Sequence, residues 1–356
     1  MTTQTYGLSQ GRLNKFKGEI LKHAVPLEVL ARGGRQIKFP KNNSDTYVAR
    51  RWVPYGATTT QPNQFFSNSA NVDRSIAMAN SHLTSEGVTP SPESIQPQDV
   101  TVVIQQYSCL YGFTDKTYDL YEDDIPQAMK EQVGERVALV NEQIIFGQLK
   151  SCTNQFYGGS GTSRATVNGA ITMGLLRKIA KSLLANHGQP VNKMLAASAN
   201  YGTDAVATGF TVYCHTDLES DIRDIAGFVP VEKYASGSPM PNEIGKIERF
   251  RFITSPDLPS IQDAATSVTA STYNLASTTG TNPDVYQFIV TAQDAWSQIA
   301  VRGKESIDAS FIPPGLKSKS DALGQRGYAG AIWWKAVMIE NQGWLAVGNC
   351  ASKNQV

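Results

Sequence analysis

Six apolar residues, Ile125, Met129, Val133, Val137, Val140 and Ile144, recur at spacings of three and four. That spacing lays one apolar stripe along an α-helix. Lys130, Glu131, Glu135, Arg136 and Glu142 fall on the other faces. Glu122, Asp123 and Asp124 put negative charge beside the unpaired N–H groups of a helix N-terminus, and Pro126 suits the first turn, where its missing donor has no partner to lose. The pattern predicts one unbroken helix through Asp119 to Lys150. At ~1.5 Å per residue, Pro126 to Lys150 alone spans roughly 37 Å, longer than the usual helix. On periodicity alone this is a core helix of a large domain, and its stripe must be covered along its whole length.

What flanks the helix narrows the choice. Tyr55 to Gln98 is rich in Ser, Thr, Asn, Gln, Pro and Gly and poor in apolar residues, whereas connections inside compact domains have a median of about 4 to 6 residues. Such a segment is expected to be either disordered or built to pack on something outside its own domain. It is bracketed by two strand patterns, Thr46 to Pro54 and Asp99 to Cys109, that make natural partners. After the helix, Gly158-Gly159-Ser160-Gly161 reads as a flexible break. Ile171 to Asn186 predicts a second helix with Leu175, Leu176, Ile179, Leu183 and Leu184 on one face and Gly188 as its stop. Phe210 to His215 predicts a strand leading into a capping box at Thr216 to Glu219 and a helix through Ile225. Ile247 to Ile253, Val285 to Val290 and Ala331 to Ile339 read as strands, the last turning at Asn341-Gln342-Gly343 into Trp344 to Val347. Pro256 to Pro283 reads as a second surface excursion. The class is α+β.

Lys plus Arg number 32 against 31 Asp plus Glu, so no overall field marks a nucleic-acid binder. The first 54 residues differ, with ten Lys/Arg against three acids. They form a basic arm in which Arg12, Lys15 and Lys17 are the candidates to pair with an acidic neighbour such as Asp119, Glu122, Asp123 and Asp124. Arg50, Arg51 and Trp52 on the first strand, and Phe65 and Phe66 in the polar loop, complete the candidate interface residues, since aromatics dominate interface energetics. On an alternating strand Arg50 and Arg51 point opposite ways, so no continuous phosphate-binding patch is implied.

Four scattered cysteines, Cys109, Cys152, Cys214 and Cys350, have neither zinc nor disulfide-framework spacing, which fits folding in a reduced, intracellular compartment. No apolar run approaches the ~20 residues that cross a bilayer, and the polar start lacks the layout of a signal peptide, so no membrane partner is expected. The glycine run lacks the Lys-Ser/Thr of a P-loop and follows a helix rather than a strand. Cys214 and His215 offer nucleophile or ligand chemistry, but alternation puts them on opposite faces. No catalytic, cofactor or metal site is expected.

With the order of parts in hand, local sequences become informative. Gly11 to Leu21 (GRLNKFKGEIL), Arg50 to Gly56 (RRWVPYG), Gly227 to Tyr234 (GFVPVEKY), Asn242 to Gly245 (NEIG) and Ala322 to Gly327 (ALGQRG) resemble the major capsid protein of certain short-tailed phages, with the Hong Kong 97-type fold. The resemblance spans nearly the whole chain. It implies an N-arm at 1–45, an E-loop at 46–117, a P-domain spine helix at 118–165, an A-domain at 166–300, and C-terminal strands at 301–356 completing the P-domain. It further implies hexamers and pentamers of an icosahedral head enclosing double-stranded DNA, contacted non-specifically. The other implied partners are a portal and possible decoration or separate scaffolding proteins, with assembly in the host bacterial cytoplasm and the virion as final location. No charged helical prepiece precedes the arm, so a fused scaffold is not expected. Some relatives crosslink their shells through an E-loop lysine, but Tyr55 to Gln98 contains no lysine. An encapsulin-like compartment of the same fold is the alternative, and a small hydrolase using Cys214 or His215 a more distant one.

Overall fold

Asp124 opens the spine helix: its side chain accepts from the Gln127 N–H at 3.1 Å, and Pro126 sits buried in the first turn. The computed structural model describes residues 25–42, 44–59, 62–63, 79–80, 82–90, 92–120, 124–191, 208–234, 239–303, 307–319 and 321–354. Helix α2 (Ile125–Leu149) follows a short helix α1 (Asp115–Leu120) rather than continuing it. The break has a local cause, because Asp124 leaves helical geometry (ψ 77°) to turn its carboxylate back on the first turn.

The N-terminal half of α2 lies on a five-stranded sheet. Its centre is β13 (Arg326–Ile339), which pairs along its first part with β4 (Gln105–Thr114) and β12 (Asp308–Ile312) and along its last with β11 (Trp296–Val301). Strand β1 (Arg35–Phe39) adds to β11 in parallel. Val133 and Val137 pack against Cys109, Ala329, Ala331 and Trp333, the stripe-on-sheet contact that the helical spacing predicts. The second sheet has seven strands in the order β5 (Gln155–Tyr157), β14 (Leu345–Cys350), β10 (Tyr286–Thr291), β6 (Phe210–His215), β9 (Phe250–Ser255), β8 (Glu243–Ile247) and β7 (Val229–Pro230). Helix α3 (Met173–Ala185) covers one face with Leu175, Leu176, Ile179 and Leu183, packed on Phe210, Val212, Phe250, Phe252 and Phe288. On the other face, Tyr213, Ile253, Ile289, Leu345 and Val347 share a core with Ile145, Phe146 and Leu149 of α2 and with Val337 and Ile339 of β13. The helix therefore ends as a wedge between the two sheets.

That wedge alters the stripe. Ile144 is only half-buried, while Ile145, Phe146 and Leu149 are buried, as is Glu142, expected outside. Two sectors of the last turns face protein, so a single row no longer suffices. Segment 247–253 is likewise two strands, β8 and β9, joined by a tight turn in which Glu248 takes φ 47°. Since β9 is interior, Arg251 is buried too, and it meets Glu243 in a two-pronged ion pair at 2.6 Å for each prong. The box at Thr216 to Glu219 does not form: the His215 side chain caps Asp217 N–H at 3.1 Å, a 3₁₀ turn follows, and helix α4 (Glu219–Arg223) ends short of Ile225.

Helix α3 closes with His187, not Gly188, in the left-handed region (φ 60°); Gly188 N–H then bonds Leu183 O at 2.9 Å and His187 N–H bonds Leu184 O at 3.0 Å. Leu184 itself is exposed. The glycine run is no loose break, because a Cβ on Gly158 would stand 2.5 Å from the Gly169 carbonyl oxygen. Residues 341–343 do not form a hairpin turn; a 3₁₀ turn at Gln342–Trp344 passes the chain from β13 in one sheet to β14 in the other.

Phe146→Ala is expected to cost about 3–5 kcal/mol of subunit stability, whereas Leu139→Ala, at a position 38% exposed on the same helix, should change it by less than about 0.5 kcal/mol. Urea unfolding of the purified, unassembled chain reads both.

Candidate assembly surface

Among the described residues, strands β2 (Thr46–Trp52) and β3 (Pro97–Val103) pair with each other alone, in the register Thr46 to Val103 through Trp52 to Pro97. Alternation gives this ribbon two faces. Tyr47, Ala49, Val100 and Val102 rest on Phe39, Ile104, Ile299, Ala336 and Met338 of the five-stranded sheet and its border. The outer face carries Val48 (51% exposed), Trp52 (57%) and Val103 (46%). The predicted strand 99–109 is thus two strands with a bend at buried Ile104: one belongs to the ribbon and the other to the sheet.

Arg50 and Arg51 point opposite ways, as alternation requires. Arg50 lies outward and clamps Asp99 across the strands, Nε to Oδ1 at 2.7 Å and Nη2 to Oδ2 at 2.9 Å. The guanidinium holds the Asp99 carboxyl below its ordinary value through that hydrogen bond. Asp99 therefore stays ionised to lower pH than it would without its partner, and the paired charges leave the outer face neutral at its middle. Arg51 lies inward, where burial lowers its pKa. Its Nε donates to Gln98 at 2.7 Å and its Nη1 to the Glu340 carbonyl at 3.4 Å, fixing the ribbon to the sheet.

Part of the long loop docks at home. Asn63 and Asn341 exchange side-chain hydrogen bonds at 2.6 Å each, and the Asn63 carbonyl lies 2.8 Å from His187 Nδ1. Asp119 is exposed at the end of α1, and Asp124, also exposed, serves as the cap of α2. Arg12, Lys15, Lys17, Phe65, Phe66, Glu122 and Asp123 lie outside the described residues.

The sequence reading passed over a second outward-facing apolar set, Leu110, Ile312 and Ile332, on the side of the five-stranded sheet opposite α2. Period-two alternation in 326–334 is the signal that finds Ile332; Gly327 and Gly330 interrupt it.

The nucleophile candidate does not assemble. Cys214 is fully buried and its thiol is pushed far up by burial. His215, on the opposite face of β6, accepts from the Asp217 N–H and packs on Tyr286, whose hydroxyl donates to Asp217 at 2.7 Å. Among the described residues no group of three or more His, Cys, Asp or Glu is placed to hold a metal ion, and no helix is long and apolar enough to cross a membrane. All four cysteines are free and buried, Cys152 being raised by burial to about 11. Native subunits at pH 8 should therefore leave all four thiols unreacted toward a thiol-specific reagent, and denatured ones should expose all four. A fast-reacting thiol before unfolding would contradict this.

No family model matches the sequence, and no curated protein matches it. Solved structures match over nearly the whole length. The capsid of Ralstonia phage GP4 superimposes with a TM-score of 0.62 at 10% identity, covering 100% of both chains. The capsid of cyanophage Pam1 gives 0.58 at 13% identity, covering 99% of this chain and 100% of that one. The capsid of cyanophage P-SCSP1u gives 0.57 at 12% identity, covering 96% and 94%. At such identities the likeness is one of fold, and the chain has the Hong Kong 97-type fold of these phage capsid subunits.

Proposed function

We propose that the chain is the major capsid protein of a tailed phage, assembling into hexamers and pentamers of an icosahedral head around double-stranded DNA. The observation that carries this reading is the end-to-end match to a phage capsid subunit, 100% of each chain. The role is structural rather than catalytic. The resemblance supplies the division into N-arm (1–45), E-loop (46–117), spine helix (118–165), A-domain (166–300) and C-terminal strands (301–356), and the ribbon β2–β3 falls within the E-loop. Its outward Val48, Trp52 and Val103 are exposed in the subunit, and in the shell they cover a neighbour's spine helix. The basic residues Arg12, Lys15 and Lys17 pair with acids such as Asp119 and Asp124 of an adjacent chain. Individual contacts of this kind are weak, and closure multiplies them into a stable cage. A portal, separate scaffolding or decoration proteins and non-specifically held DNA are the further partners, and assembly takes place in the host cytoplasm.

Negative-stain microscopy of the expressed protein tests the reading: closed shells are expected, and a small oligomer would overturn it. DNA inside particles made during infection separates a capsid from a compartment filled with protein cargo. Trp52→Asp should leave subunit unfolding unchanged, since the side chain is exposed, while reducing shell yield at least roughly tenfold. Mature particles should also run as monomers on denaturing gels, because Tyr55 to Gln98 holds no lysine; a covalent ladder would contradict this.

A further inference from the structure

Residues 27–33 form neither helix nor strand, yet side chains from three separate elements hold their backbone. The Glu142 carboxylate, on α2 and 1% exposed, accepts from Val29 N–H at 3.1 Å, Leu30 N–H at 2.8 Å and Ala31 N–H at 3.1 Å. Asp257, just past β9, accepts from Leu27 N–H at 2.5 Å, and the Ser255 hydroxyl donates to the Leu27 carbonyl at 3.2 Å. From β11, the Gln298 amide donates to the carbonyls of Ala31 and Gly33 at 3.0 and 2.6 Å. Gly34 then turns with φ 72° where a Cβ would meet the Trp296 ring at 2.8 Å, and the chain enters β1.

Attachment alone does not call for this arrangement, because β1 already fastens the segment to β11 through a parallel ladder. Burying a carboxylate is costly unless its oxygens are satisfied, and three convergent N–H donors demand an acceptor with nothing to donate. What the clasp adds is direction: it fixes the course of the backbone where the basic arm joins the subunit.

We infer that Glu142 is a positioning residue for assembly, its carboxylate fixing the course of residues 27–33 between the spine helix and β1 so that every copy meets its neighbours with the same geometry there. This rests on the capsid reading. Glu142→Gln keeps the shape but sets an amide NH₂ against backbone donors, and Gln298→Ala removes the clasp from a different element. In both variants, amide exchange at Val29 to Ala31 should speed up roughly tenfold or more. Trypsin should cut at Arg32 sooner, exchange around Val137 should stay as in wild type, and shells should lose their uniform diameter. Wild-type protection at Val29 to Ala31 in both variants overturns the inference. So does lost protection with shells of unchanged diameter. Absence of shells from the wild-type chain overturns instead the capsid reading on which the inference rests.

Discussion

Ile145, Phe146 and Leu149 occupy the junction where α2, β13 and the seven-stranded sheet meet, and the remaining architecture depends on that wedge. Each fully buried side chain of this size contributes about 1.5–3 kcal/mol, and here one helix end supplies the cover for two sheets at once. Upstream, Val133 and Val137 pack on the five-stranded sheet. A helix that packs on one layer at its start and between two at its end holds those layers at a fixed angle. Strand β13 reinforces the arrangement, since its first residues belong under the N-terminal half of the helix and its last, Val337 and Ile339, belong to the wedge.

The exterior follows different physics. In the ribbon, one face is anchored by apolar packing and by Arg51, while the other leaves Val48, Trp52 and Val103 in solvent around the Arg50–Asp99 clamp. Because that clamp is satisfied within the subunit, a partner covering the ribbon need not supply a counter-charge at its centre. On the proposed function, a contact made there would be apolar, the type suited to a surface that must align with many copies before it locks.

Sequence periodicity located the spine helix and helix α3 because a 3.6-residue stripe facing one layer is a local signal. It misplaced Glu142, whose burial depends on three N–H groups more than a hundred residues away in the chain, a relation no window of sequence contains. Arg251 is buried for a related reason: alternation predicts a polar face only when one sheet face is wet, and β9 is covered on both. The turn at 341–343 was legible as a turn, but whether it folds back or crosses to another sheet is decided by the strands already waiting there. For the candidate surface, alternation in Thr46 to Trp52 was enough to put Arg50 and Arg51 on opposite faces, whereas the glycines in β13 hid Ile332.

Strand β14 has a consequence for how such a subunit can be made. It lies between β5 and β10, so residues 345–350 are an interior strand of a sheet whose first member starts as early as Gln155. Strand β1 likewise waits for β11. Neither sheet can close while the chain is still being synthesised up to these points, and contacts of such long range form slowly and expose apolar edges meanwhile. The same order acts as a quality check: a polypeptide cut short before Leu345 lacks the strand that completes its core, and cannot pass as a nearly correct copy of the fold.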